Sequence, residues 1–218
     1  MRLYLLSLLL LHCLSANAQF RDLQWGASKE ETIISEGIDC LNPEKGTHCR
    51  ETSIWKWDKL ADAFTTVNFY FADGKLTEGK YVIKDNPNSH YRGGIIGQND
   101  ERREWLKDRY KVLADLLTTK YGPPSVDYQC DGLDEPLWHL PKVHEPPKLE
   151  YSAVPFASAK WLTSSTEIKL NLERNYGDES GMVFLNLTYE SNELGDWGRQ
   201  WREQKRLAEE KARRLKGL

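Results

Sequence analysis

After residue 18 the chain has no apolar run long enough to cross a bilayer, which takes about 20 residues. It lacks the Cys-x-x-Cys and His-x-x-x-His spacings that place two ligands on one metal; neither Cys40 with His48-Cys49 nor the pair His139 and His144 supplies them. There is no Gly-x-Ser-x-Gly elbow for a serine nucleophile. The glycine-rich stretch Arg92-Gly93-Gly94-Ile95-Ile96-Gly97 lacks the Lys-Ser/Thr step of a phosphate loop. Positive charge is also wanting: the net charge is −3, which suits phosphate neutralisation poorly, so no nucleic-acid partner is expected. These absences predict no catalytic residue, no metal and no cofactor.

The most informative feature present is the start. Arg2 is followed by a nearly unbroken apolar run, Leu3 to Leu11, and Ala16-Asn17-Ala18 offers a small-x-small cleavage site. Charge, apolar core and small residues in that order predict a secretory signal over residues 1–18, with the mature chain beginning at Gln19. Cys13 does not read as a lipid anchor, because the bulky His12 precedes it where lipoprotein processing needs a small residue. The expected location is the periplasm or the exterior.

Charge divides unevenly along the mature chain. Residues 196–218 hold eight basic side chains against four acidic, a balance of +4, which leaves −8 on residues 19–195. Arg199, Arg202, Lys205, Arg206, Arg213 and Arg214 are therefore candidates for a contact surface toward an anionic partner: a lipid headgroup, a wall polymer or the acidic body of a second copy. The competing reading is a solvated helix laced by i,i+4 pairs such as Glu210 with Arg214.

Three cysteines follow the leader. Cys40 and Cys49 flank an eight-residue loop with Pro43 and Gly46, so in an oxidising compartment they are expected to pair. Cys130 is left as a buried thiol, an intermolecular link or the true partner of one of the two.

Ser28 and Glu31 form a capping box opening a short helix toward Gly37. Ser53–Trp57 is a short strand, and Val67, Phe69 and Phe71 alternate inward along the next. Asp73-Gly74 turns the chain into a returning strand, Leu76 to Ile83. Residues 84–100 read as a loop. Residues 101–121 read as a helix with the stripe Leu106, Tyr110, Leu113, Leu117 and Tyr121, widened by Trp105, Val112 and Leu116 and closed by Gly122. Residues 127–155 read as turn-rich, with a brief strand at Leu137 to Leu140. Strands about Ile168, Leu170, Leu172 and about Val183, Leu185, Leu187 follow, joined by a hairpin at Gly177 to Gly181. From Trp197 a charged helix carries Trp197, Trp201, Ala208, Ala212 and Leu215 on one stripe, expected to pack near Trp197 and then project.

This order predicts an α+β fold in which residues 19–195 form a single domain. Two helix-plus-hairpin repeats, about 19–84 and 101–190, would build one antiparallel sheet with helices on one face, and residues 196–218 would add an extended charged helix. Phe20, Leu23-x-Trp25-Gly26-x-Ser28-x-x-Glu31, Tyr70-Phe71-x-Asp73-Gly74-Lys75-Leu76 and Lys120-Tyr121-Gly122-x-Pro124 resemble a broad group of bacterial exported proteins. The arrangement is similar to the β-lactamase-inhibitor-protein-like fold, which includes envelope-assembly lipoproteins and secreted inhibitors. The resemblance implies architecture and compartment and carries no catalytic residue. The function expected is an exported, non-enzymatic binding or envelope-associated protein with an unidentified protein or envelope component as partner. The alternative is a small hydrolase with its site assembled from loops 84–100 and 127–155.

Overall fold

The computed structural model describes residues 20–41, 47–83, 96–129, 154–174 and 183–216. Its elements are α1 (Lys29–Ser35), β1 (Thr47–Cys49), β2 (Ser53–Leu60), β3 (Ala63–Ala72), β4 (Lys75–Ile83), α2 (Ile96–Tyr121), β5 (Val126–Gln129), β6 (Val154–Leu162), β7 (Thr166–Arg174), β8 (Val183–Ser191) and α3 (Gly195–Lys216). The strands form one antiparallel sheet in the order β1-β2-β3-β4-β8-β7-β6-β5. Among the described residues each half therefore runs helix and then four strands, and the halves meet where β4 pairs with β8.

Local chemistry explains the entries. Glu31 N–H donates to Ser28 Oγ at 3.1 Å and Ser28 N–H donates to Glu31 Oε2 at 2.7 Å, so the capping box closes and starts α1. The amide bond from Ser28 also holds the Glu31 carboxyl below the usual glutamate range. The β3–β4 hairpin turns at Asp73 and Gly74, with φ of 47° and 73°, the left-handed pair of a tight hairpin turn. Gly122, at φ 84°, ends α2, and its N–H donates to Thr118 O.

Strand alternation sorts side chains onto two faces. Cross-strand register sets Ile54, Phe69, Gly79, Tyr189, Ile168 and Trp161 side by side on one of them. This is the core face. The expected set Val67, Phe69, Phe71, Ile168, Leu170, Leu172, Val183, Leu185 and Leu187 is buried here in a single cluster with Leu106, Tyr110, Leu113 and Leu117 of α2. Phe20, fully buried, covers Gly79 so closely that a Cβ there would clash with its ring, and it packs on Phe69, Tyr81 and Tyr189. Trp25 packs against the same cluster and donates to Thr166 Oγ1 at 2.8 Å, tying the chain start to β7. Cys40 and Cys49 are disulfide-bonded, fastening edge strand β1 to the segment after α1.

Several elements differ from the sequence reading. Helix α2 begins at Ile96, inside the stretch assigned to a loop. β5 lies almost wholly in the stretch read as turn-rich, and β6 begins at its end and runs on through residues given no element. Val112 and Leu116 are exposed and do not widen the buried stripe of α2. The short strand at 137–140, the 177–181 hairpin and Cys130 lie outside the described residues. While α1 and α2 share the core face, α3 lies across the other one, against β3 and β4, with its side-chain pairs to the sheet made between Arg199 and Lys205 and most of residues 207–216 exposed.

Candidate functional site

The face beneath α3 is made of charge. Opposite one another on adjacent strands stand Tyr70, Glu78, Glu190 and Glu167, so three carboxylates line up across β4, β8 and β7. Like charges set directly opposite destabilise a sheet unless cations intervene. The cations come from two sides. Lys160 and Lys169 pair with Glu167, and together they hold its carboxyl below the usual glutamate range against the upward push of burial. From above, Arg199 pairs with Glu190 and Asp196, and Arg202 pairs with Glu78 at 2.7 Å. Arg202 also donates to Thr77 Oγ1 at 2.7 Å and lies over the Tyr70 ring at 5.3 Å. Burial raises the Tyr70 phenol, with the Glu78 charge adding to it.

Close approach is what lets these pairs form. Gly195 and Gly198 are the buried residues of α3, and a Cβ on Gly198 would stand 2.5 Å from Thr77 Oγ1. A Cβ on Gly195 would collide with the Glu190 carboxylate. The docking point is thus Gly198 with Arg202, not Trp197, which is 40% exposed.

Farther along, α3 and the turn between β1 and β2 form the walls of a cleft of about 610 Å³. Arg50, Glu51, Thr52 and Ser53 contribute from the sheet, and five of the six basic residues singled out from the sequence, Arg199, Arg202, Lys205, Arg206 and Arg213, contribute from the helix. Lys205 pairs with Glu51 and lies over the Trp201 ring, while Arg206 pairs with Glu203 and Glu210. The sixth, Arg214, does not line the cleft; it pairs with Glu210 at 2.5 Å. Arg50 and Arg213 face the cleft from opposite walls, and neither has a carboxylate partner among the described residues. Four carboxylates, Glu51, Glu78, Glu203 and Glu209, line the same cleft, against six basic side chains.

The chemistry of hydrolysis falls elsewhere. His90, His139, His144 and Cys130 lie outside the described residues, as do most of loops 84–100 and 127–155. His48, the one histidine among the described residues, stacks on Trp55 at 4.0 Å between ring centres. Among the described residues no group of three His, Cys, Asp or Glu side chains is placed to hold a metal ion. Sequence reasoning found the basic residues of α3 but missed their receptors, Thr77, Glu78 and Glu190, because cross-strand neighbours are set by register. It also missed Arg50, which sits in a turn with no motif around it. Comparison with protein-family models, curated proteins and solved structures finds no match to this chain.

Proposed function

We propose that the protein is an exported, non-enzymatic binding protein of the cell envelope that meets an anionic partner at the cleft between α3 and the β1–β2 turn. The observation that carries this reading is the pair Arg50 and Arg213, facing one cleft from opposite walls without carboxylate partners among the described residues. The signal-like start supports export, the Cys40–Cys49 disulfide fits an oxidising compartment, and no helix among the described residues is long and apolar enough to cross a membrane. The shared order of helix and four strands in each half supports the two-unit reading of residues 19–84 and 101–190, and with it the resemblance to β-lactamase-inhibitor-like architecture.

The test is capture from envelope extract by the protein with and without Arg50→Glu and Arg213→Glu together. Capture should fall at least tenfold in the double variant and should weaken with salt, since the Debye length is about 8 Å at physiological ionic strength. Equal, salt-insensitive capture by both proteins would reject the cleft as the contact site.

A further inference from the structure

The docking of α3 leaves its apolar stripe unused. At 3.6 residues per turn, Gly198, Arg202 and Lys205 mark the side turned to the sheet, and Trp197, Trp201, Ala208, Ala212 and Leu215 lie about a quarter turn away on a flank. Leu207 is on the outer side. Trp197 is 40% exposed, Leu207 50% and Leu215 63%, and Ala208 and Ala212 are exposed as well. An amphipathic helix ordinarily buries its apolar stripe against the core. This one buries charge, leaves Trp201 half-buried beside Lys205 and shows Trp197, Leu207 and Leu215 to solvent.

Charge on that outward side is one-signed. The helix has four acids: Glu203 and Glu209 line the cleft, Asp196 and Glu210 lie on the far flank, and Asp196, Glu203 and Glu210 each meet an arginine of the same helix. The sector from Leu207 through Trp197 and Leu215 to Ala212 contains Gln200, Gln204 and Lys211 and no carboxylate; Lys205 and Lys216 border its Ala212 edge, and Asp196 with Arg214 its Leu207 edge. Tryptophan and leucine beside lysines, without acids, is the composition of a helix that lies in the interfacial layer of an anionic bilayer. The rings sit at headgroup depth and each lysine near the surface adds attraction.

We infer that α3 is a peripheral membrane contact, which seats the protein on an anionic lipid bilayer through Trp197, Leu207, Leu215, Lys211 and Lys216. The inference rests on the export and envelope reading but uses a different surface from the cleft. It also explains why the helix is pinned along its charged side: the ion pairs and the glycine contacts present the apolar flank in a fixed orientation, so little ordering remains to oppose adsorption.

The experiment uses the protein as the producing cell exports it, with vesicles of phosphatidylcholine alone or mixed with phosphatidylglycerol. Sedimentation with the mixed vesicles, a blue shift of tryptophan emission and loss of binding at high salt are expected. Leu207→Gln with Leu215→Gln, and separately Lys211→Glu with Lys216→Glu, should each weaken binding at least tenfold while circular dichroism stays unchanged. Lys111→Glu, on α2 across the sheet, should bind vesicles as the parent does. Absence of parent binding, equal binding to neutral vesicles, or undiminished binding by both double variants would each overturn the inference. Envelope capture through the cleft would stand or fall by its own variants.

Discussion

Two long helices lie on opposite faces of one sheet and are held by opposite means. Helix α2 buries Leu106, Tyr110, Leu113 and Leu117 in the shared core. Helix α3 buries two glycines and sets Arg199 and Arg202 on a row of carboxylates, with Trp197, Leu207 and Leu215 toward solvent. The first attachment is non-directional and scales with apolar area. The second depends on backbone proximity and on each charge meeting its partner, and in partly buried pairs of this kind the cost of desolvation offsets much of the attraction. Helix α2 is thus part of what makes the chain fold, and α3 is something the folded sheet carries.

The contrast can be tested in order of effect. Leu106→Ala should cost about 2–5 kcal/mol of stability by urea unfolding, as for other buried leucines; a loss under about 0.5 kcal/mol would place α2 outside the core. The core face should next betray itself at high pH. Burial pushes the Tyr110 phenol up to about 12, with the Asp127 charge adding to the rise. A raised folded value means that the neutral form contributes stability in full below about 10, the ordinary tyrosine value. That contribution, at most about 3 kcal/mol for two units at about 1.4 each, is lost as pH climbs toward about 12. Absorbance titration should show the buried phenols, Tyr110 among them, ionising late and together with unfolding; complete ionisation near 10 with the fold intact would contradict the burial.

Gly198→Val should cost less, about 1–3 kcal/mol, because a Cβ there forces the helix away from Thr77. Hydrogen exchange should then rise in α3 while α2 keeps its protection. Uniform loss across both helices would show that they form one cooperative unit and erase the distinction drawn between them. Leu215→Ala, at the exposed end of the apolar flank, should shift stability by less than about 0.5 kcal/mol. A larger loss would mean that this flank packs on the body after all.

What the sequence revealed follows the same division. The core face was legible because β3, β7 and β8 alternate in strict period two and α2 carries its stripe at helical spacing. β6 was not, since Ala157 and Ala159 fill its inward positions, alanine has little strand preference, and Pro155 argues against a strand. The β2–β3 hairpin was hidden for a related reason. Ala61 and Asp62 take φ of 47° and 62°, a turn that glycine or asparagine usually announces, and Arg109 donates to Ala61 O at 3.0 Å to help hold it. At α3 the pattern was read correctly and its orientation wrongly. An apolar stripe is expected to face the body, but two glycines spaced to admit the sheet, and a carboxylate row created by register, turned the helix by about a quarter.

The position of β8 sets the order of events in the life of the chain. It is the last strand to be made, yet it lies between β4 and β7 at the middle of the sheet, and Phe20, at the other end of the described chain, packs against its Tyr189. Until residue 191 has emerged the four strands β1–β4 and the three strands β5–β7 have open inner edges and nothing to join them. Folding governed by such distant pairings is slow, and the waiting chain exposes unpaired strand edges. Closure of the whole sheet therefore waits on β8, and the pairing of β4 with β8 that joins the two sets of strands is a late step.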